Sequence, residues 1–294
     1  MTRVTVEVEG RQLSLSNLDK VLYPAHGGFT KGEVLDYYSR IAPVLLPHLA
    51  RRPLTMKRWP DGVEGHSFFE KNAPSHRPDW LRVQRLPSPG STKHRETIDY
   101  AVVEDVAGLI WVANLATLEL HTPMWRIGDP GPDLVVFDLD PGPPATAVEC
   151  AEVALLLREE LAADGREPVV KTSGNKGLQV YALAGSLGSS QETSAYAKDL
   201  AQRLEGRRPD LVVSRMAKAL RPGKVLVDWS QNNGSKTTVS VYSLRARPSP
   251  TVSTPVTWDE VAGCRSPAEL EFLAGDVLDR VARDGDLFRG LLPG

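Results

Sequence analysis

The stretch "VVFDLDP" places Asp138 and Asp140 two residues apart at the end of an apolar run. In an extended strand, residues i and i+2 share a face, so the two carboxylates project together while Leu139 packs on the other side. Adjacent carboxylates repel, and a hard divalent cation between them relieves the repulsion. The same pair also suits a solvated strand end, with Asp140 opening a turn before Pro141 and Gly142. A second stretch, "KVLVDWSQNNGSK", ends another apolar run on Asp228, where an unpaired carboxylate is costly to bury. Pairing Asp228 with a nearby arginine would satisfy it. If instead its strand neighbours the first one, Asp138, Asp140 and Asp228 converge as the ligands of a two-metal site, manganese or magnesium. Two such ions activate an attacking hydroxyl, orient a triphosphate and neutralise the departing pyrophosphate.

A third stretch, "KTSGNKGLQVY", runs from Lys171 to Tyr181. Ser173, Gly174 and Gly177 allow a tight turn whose backbone N–H groups can line an anion nest. Lys176 adds a point charge and Ser173 a hydroxyl. The spacing is not that of a Walker loop. Ser173 and Lys176 do satisfy S-x-x-K, but that serine motif opens a helix, a strand follows here, and its S-D-N and K-T-G partners are missing. Taken alone, the stretch reads as a hairpin turn with a solvated lysine. Beyond the turn, Gly177, Gln179 and Tyr181 share one strand face, opposite Leu178 and Val180.

Cationic side chains gather near these segments. Arg215, Lys218, Arg221 and Lys224 precede Asp228, and Arg245 and Arg247 follow in "YSLRAR". Arginine forks suit a triphosphate, although such runs usually form a solvated face. Near the N-terminus, Lys20 and Lys31 flank a loop holding Gly27 and Gly28. Lys57 and Arg58 adjoin Trp59, with Phe68 and Phe69 close behind. Basic residues interleaved with aromatics suit phosphate contact and base stacking, or else an aromatic core with a charged rim.

These residues need elements to hold them. Residues 3–15 read as two strands around Glu9–Gly10–Arg11, and Ser16 as the cap of a helix in "SNLDKVLYP". Thr30 and Glu33 form a capping box for "KGEVLDYYSRIAPVLLPHL". Residues 51–104 read as short strands and loops, and "VEDVAGLIWVANLATLELH" as one apolar helix. "GDPGPD" at 128–133 is a break, so two modules are expected, 1–130 and 131–294. In the second, "LVVFDLDP", "EPVVKTS", "GLQVYAL", "GKVLVDWS" and "TTVSVYSLR" read as strands. Helices capped by Thr146 and starting near Ser189 fall between them. The resulting β-α-β-β-α-β order gives an α+β class with an RRM-like sheet. The tail after Ser266 reads as helical.

Composition bounds the rest. A chain of 294 residues buries a sizeable core, and 41% hydrophobic with 24% charged residues is ordinary for a globular enzyme. A net charge of −2 means that any nucleic-acid contact must rest on local positive charge. Cys150 and Cys264 form neither a metal spacing nor a disulfide framework, which suits a reducing, cytoplasmic setting. No apolar run reaches membrane-spanning length, and the N-terminus lacks the apolar region of a signal peptide.

With these motifs in hand, the sequence resembles the polymerase domain of bacterial ligase D, a branch of the archaeo-eukaryotic primase superfamily. "NLDKVLYP", "KRWPDG", "FFEK", "LELHTPMW", "VVFDLDPG", "TSGNKGL", "VDWSQNNGSKTT" and "YSLRAR" carry the resemblance in order, over nearly the whole chain. It implies a primase-type catalytic module with an N-terminal module packed on it. The implied activity is template-dependent, manganese-favoured nucleotide addition, preferring ribonucleotides, at gaps and broken ends during non-homologous end joining. Asp138, Asp140 and Asp228 match the metal triad, and Ser173 and Lys176 the nucleotide-phosphate motif. His121, Arg221 and Arg245 match other residues of the nucleotide and metal pocket. Lys20 and Lys31 match the pair holding a downstream 5′-phosphate, Phe68 and Phe69 the aromatics stacking on template, and Lys57 a basic DNA contact. Gln179 stands where the family motif usually has histidine, so nucleotide affinity is expected to be weaker there.

No lysine-nucleotidyl ligase motif or phosphoesterase domain fits in this length. A stand-alone relative or an excised domain is therefore expected, recruiting a separate ligase and a Ku-type end-binding protein, in a nucleoid-associated setting. Two rivals belong to other classes. One is a non-catalytic end-binding module keeping the 5′-phosphate pocket. The other is a metal-dependent phosphohydrolase using the same carboxylates.

Overall fold

Alternation along the strand Leu134–Pro141 organises the C-terminal half of the protein. In the computed structural model, which describes residues 3–88 and 96–293, Val135, Phe137 and Leu139 all enter one buried cluster. There they meet Cys150, Leu157 and Leu161 of the helix Ala147–Ala163, and Leu200 and Leu204 of the helix Ser190–Arg207. Each buried leucine contributes about 1.5–3 kcal/mol, so this face holds the sheet together. The opposite face is left to Val136, Asp138 and Asp140. Both helices start where expected, on Thr146 with a complete capping box through Glu149, and on Ser189.

The main sheet has six strands, in the order Val212–Val213, Val225–Asp228, Leu134–Pro141, Leu178–Leu183, Val169–Thr172, Pro255–Val256. All neighbours are antiparallel except the first two, which run parallel. Numbered along the chain, the four central strands lie as fourth, first, third, second. That is the split βαβ arrangement, and it confirms the α+β, RRM-like class.

The N-terminal half is built on the helix Lys31–Leu49, whose Thr30–Glu33 capping box is complete. Its inner face buries Tyr37, Tyr38, Ile41 and Leu45. A second sheet has the order Thr238–Val239, Thr117–Thr122, Thr55–Arg58, Phe68–Glu70. One buried cluster joins Tyr23, Tyr37 and Met56 to Leu134, Val136, Tyr181 and Tyr242, so packing is continuous across residues 128–133.

Three expectations need correction. Ser16 ends the strand Arg11–Ser16 and caps no helix, because Asn17 takes a left-handed φ of 53° and the chain turns into the short strand Val21–Tyr23. The apolar run after Val103 is not one helix. It is helical only over Val106–Asn114, Ala116 turns left-handed at φ 58°, and Thr117–Thr122 is a strand. "TTVSVYSLR" gives only Thr238–Val239 as strand, and that pairs with Thr117–Thr122 in the second sheet. The tail forms the helix Ala274–Asp284 flanked by short turns, and residues 89–95 of the expected loop region lie outside the described residues.

Candidate active site

The register of the main sheet brings the three aspartates to one face. Asp138 lies directly opposite Asp228 on one neighbouring strand and opposite Gln179 on the other. Asp140 follows two residues along the same face, beside Leu226. Asp228 closes its strand by capping the turn Trp229–Asn232: one carboxylate oxygen accepts from the Ser230 N–H at 2.8 Å and hydroxyl at 2.6 Å. Gln231 Nε2 donates to the other oxygen at 3.0 Å. Asn232 pins that turn to the central strand through two bonds with the Val136 backbone, at 2.9 and 2.7 Å.

Burial and the neighbouring Asp140 and Asp228 push the Asp138 carboxyl up to about 7, against the opposing pull of Gln179 and Lys171. Burial and Asp228 also raise Asp140, while Arg221 and Arg245 oppose. The carboxylates therefore carry more negative charge than their protein neighbours neutralise. In chemical kind, this donor set fits a hard divalent cation. As they stand, the side chains are not drawn together: among the described residues no group of three His, Cys, Asp or Glu forms a metal cage.

Behind Asp138 lies a buried polar chain. Gln179 Nε2 donates to Asp138 Oδ1 at 3.0 Å. Its Oε1 accepts from Lys171 Nζ at 2.5 Å and from the Tyr181 hydroxyl at 3.3 Å. Gln179, 3% exposed, thus spends its amide inside the protein.

The turn after Lys171 is held against the central strand. Ser173 Oγ accepts from the N–H groups of Asn175 and Gly177, both at 3.2 Å. A Cβ on Gly177 would lie 1.9 Å from the Leu139 carbonyl oxygen, so only glycine permits this approach. Arg245 Nη1 donates to the Ser173 carbonyl at 3.1 Å, and its Nε to Glu119 Oε1 at 3.1 Å. Lys176 is exposed and lines a cavity of about 350 Å³ with Pro141, Thr146 and Leu270.

Glu119 is the hub that binds the two halves. Its second oxygen meets His121 Nε2 at 2.9 Å and Lys57 Nζ at 3.8 Å. Burial alone would raise its carboxyl, but His121, Arg245 and Lys57 hold it down at about 2. Burial lowers His121 below the ordinary histidine value, with Glu119 opposing. The exposed Phe69 ring packs edge-on against His121 and lies 5.2 Å from Lys57 Nζ.

A second basic group lies apart from the carboxylates. The Lys31 N–H bonds the Lys20 carbonyl, which sets the two lysines side by side. Lys31 is buried, and its Nζ donates to the Ser16 carbonyl at 2.6 Å. Burial first, then Lys20 and Arg58, bring its pKa down to about 8. Arg58 lies over the Phe68 ring at 5.3 Å. Both neighbouring cations already have carboxylate partners, Lys20 with Asp61 at 2.9 Å and Arg58 with Glu70 at 2.5 Å.

A model of the LigD primase-polymerase domain matches residues 30–288. The chain belongs to the LigD primase-polymerase family. Polymerases of this kind are nucleotidyltransferases. The multifunctional non-homologous end joining DNA repair protein LigD of Mycobacterium tuberculosis is 45% identical over 291 residues, 96% of this chain and 37% of that protein. The Mycolicibacterium smegmatis LigD is 47% identical over 95% of this chain and 36% of its own length. The bifunctional Bacillus subtilis LigD is 31% identical over 93% and 43%. The chain thus spans less than half the length of each of these relatives. The solved polymerase domain from M. tuberculosis ligase D in complex with DNA superposes with a TM-score of 0.89 at 44% identity, covering 96% of this chain and 99% of that one.

Among the residues expected at this LigD-type site, Asp138, Asp140 and Asp228 share a sheet face with Gln179 bonded to Asp138, and Arg245, Ser173, His121, Lys57 and Phe69 are joined through Glu119 and its neighbours. Lys20, Lys31 and Phe68 form the separate basic group. Arg221 sits at its edge: its Nη2 is spent on the Met216 carbonyl at 2.6 Å, and its Nε is buried without a partner. Arg215 is paired with Glu205 at 3.2 Å. Arg58 joins the basic group as the basic–aromatic pattern suggests, whereas Glu119 and Lys171 are site residues the sequence reading lacks. Strict alternation in "TLELHT" was the available signal for Glu119, since it puts Glu119 and His121 on one strand face.

Proposed function

We propose that this domain adds nucleotides, ribonucleotides preferentially, to gapped or broken DNA under template direction, in end-joining repair. The observation that carries the reading is the face-to-face placement of Asp138 and Asp228 with Asp140 on the same side. In this reading residues 131–294 supply the chemistry and residues 1–130 the DNA contacts. Asp138, Asp140 and Asp228 would hold two divalent ions, manganese or magnesium. When bound, these activate the attacking hydroxyl and neutralise the leaving pyrophosphate.

The remaining work belongs to side chains of this chain. Arg245, anchored by Glu119 and the Ser173 carbonyl, offers its guanidinium to phosphate oxygens. Ser173 shapes the turn that brings Lys176 to the nucleotide. His121, kept mostly neutral by burial, can donate or accept at the pocket wall. Lys20 and Lys31, with Arg58, grip the downstream 5′-phosphate. Phe68 and Phe69, 36% and 53% exposed on an edge strand, offer ring faces for template bases. End-binding and ligase functions come from partners or from further domains, as the span of the relatives suggests.

Primer extension with single-nucleotide controls on a gapped, 5′-phosphorylated duplex with manganese tests the proposal. Incorporation that follows the template base supports it. Nucleotide release without template dependence would make the site a phosphohydrolase, and binding without turnover a DNA-end clamp.

A further inference from the structure

Lys171 opens the motif that carries Ser173 and Lys176, yet none of the roles above uses it. It is 1% exposed, and its ammonium faces no carboxylate directly. Burial lowers its pKa far below that of an ordinary lysine. A group so costly to bury is retained for a reason or replaced by an apolar one. Its Nζ donates to Gln179 Oε1 and to Ser253 Oγ, each at 2.5 Å, and to the Val239 carbonyl at 3.2 Å. These acceptors come from three separate segments, so the ammonium is fixed in position.

The consequence falls on Gln179. A primary amide has one donating end and one accepting end, and Lys171, in the charged form that nearby Asp138 favours against burial, can only donate. Lys171 therefore forces the Gln179 carbonyl inward, and the Tyr181 hydroxyl, itself bonded to Thr238 Oγ1 at 2.9 Å, bears on the same oxygen. The NH₂ is then obliged to face Asp138, where it donates to Oδ1 at 3.0 Å. With Oδ1 held in this way, Oδ2 is left for other partners. We propose that Lys171 is a positioning residue that sets the orientation of the Asp138 carboxylate through Gln179, so that one oxygen is presented to a divalent cation. The inference rests on the reading of Asp138 as a metal ligand.

Partners behind a ligand typically change metal affinity or activity by about 10–100-fold when removed. Manganese affinity measured by the free-ion spin-resonance signal, thermal melting, and kcat and KM for the nucleotide form the test. Lys171→Met removes the donor and keeps the bulk. The expected result is a folded protein that melts below wild type, because three buried acceptors lose their donor, with manganese affinity down about tenfold. kcat falls in parallel, and the nucleotide KM stays within about twofold. Gln179→Met is expected to weaken manganese equally, and the double variant no further. A folded Lys171→Met protein with wild-type manganese affinity overturns the proposal. So does an additional loss in the double variant relative to Gln179→Met, which would mean that Lys171 acts by charge alone. This second comparison decides the matter if Lys171→Met does not fold alone. Asp138→Ala separates the two levels: native manganese affinity in that variant refutes the metal site itself, whereas its loss beside intact binding in Lys171→Met refutes only the relay.

Discussion

Asp138 and Asp228 face each other across adjacent antiparallel strands, although 90 positions apart in the chain. Nothing local links them. The sheet register alone makes them neighbours, and two crossover helices buried on the far face maintain that register.

The turn before Leu178 is expected to be intolerant of any side chain at Gly177. Gly177→Ala would drive a Cβ against the Leu139 carbonyl oxygen, which belongs to the strand carrying Asp138 and Asp140. A loss of about 2–4 kcal/mol in denaturant unfolding is expected, with nucleotide addition reduced more than DNA binding. An unfolding midpoint equal to wild type would show that the turn does not bear on the strand.

Glu119 is expected to matter for stability as well as for the site. Its folded pKa of about 2 lies below the ordinary 4.5, so its contribution is complete above pH 4.5 and is lost as pH falls toward 2. Removing one member of a buried ionic cluster is severe, so Glu119→Ala should cost about 3–5 kcal/mol at neutral pH. Glu119→Gln should flatten the acid limb of the stability curve between those two pH values. Acid-unfolding titrations of both variants give the answer.

The side-by-side lysines predict a pH-dependent preference for 5′-phosphate. Free Lys31 loses its proton near pH 8, well below the usual 10.5. A phosphate favours the charged form, so above pH 8 binding must take up a proton, and affinity should fall as pH rises. Between pH 7 and pH 9 the advantage of phosphorylated over unphosphorylated gaps should shrink about tenfold in fluorescence anisotropy. Lys31→Gln should remove most of the advantage at both pH values. Equal losses on both DNAs would make Lys20 and Lys31 general backbone contacts.

Phe69→Ala should separate binding from folding. About half of the ring is exposed and its contacts are His121 and Lys57, so stability should fall by no more than about 1.5 kcal/mol. Affinity for a single-stranded template overhang should fall by about 1–3 kcal/mol if a base stacks there.

Much of this architecture is legible in the sequence because it is written locally. The Thr30, Thr146 and Ser189 caps, the alternation of "VVFDLDP", and the strand–helix order each follow from short-range physics. The errors have separate physical causes. Residues 106–120 are mostly apolar, so helix and strand periods are hard to tell apart there, and Glu119 falls within the expected helix. Ser16 had the chemistry of a cap, but a left-handed Asn17 turned the chain away. Lys171 opens the motif but has no role legible in the sequence, because its meaning depends on Gln179 and Ser253, which only the folded sheet brings to it.

The central claim is that three aspartates on one sheet face carry nucleotide transfer. Extension of a gapped, 5′-phosphorylated duplex with manganese, compared between wild type, Asp138→Ala and Asp228→Ala, tests it most directly. Both variants should still bind the DNA, and extension should fall on the order of a thousandfold, equivalent to roughly 4 kcal/mol of transition-state stabilisation. Extension surviving within about tenfold of wild type in either folded variant would contradict the claim.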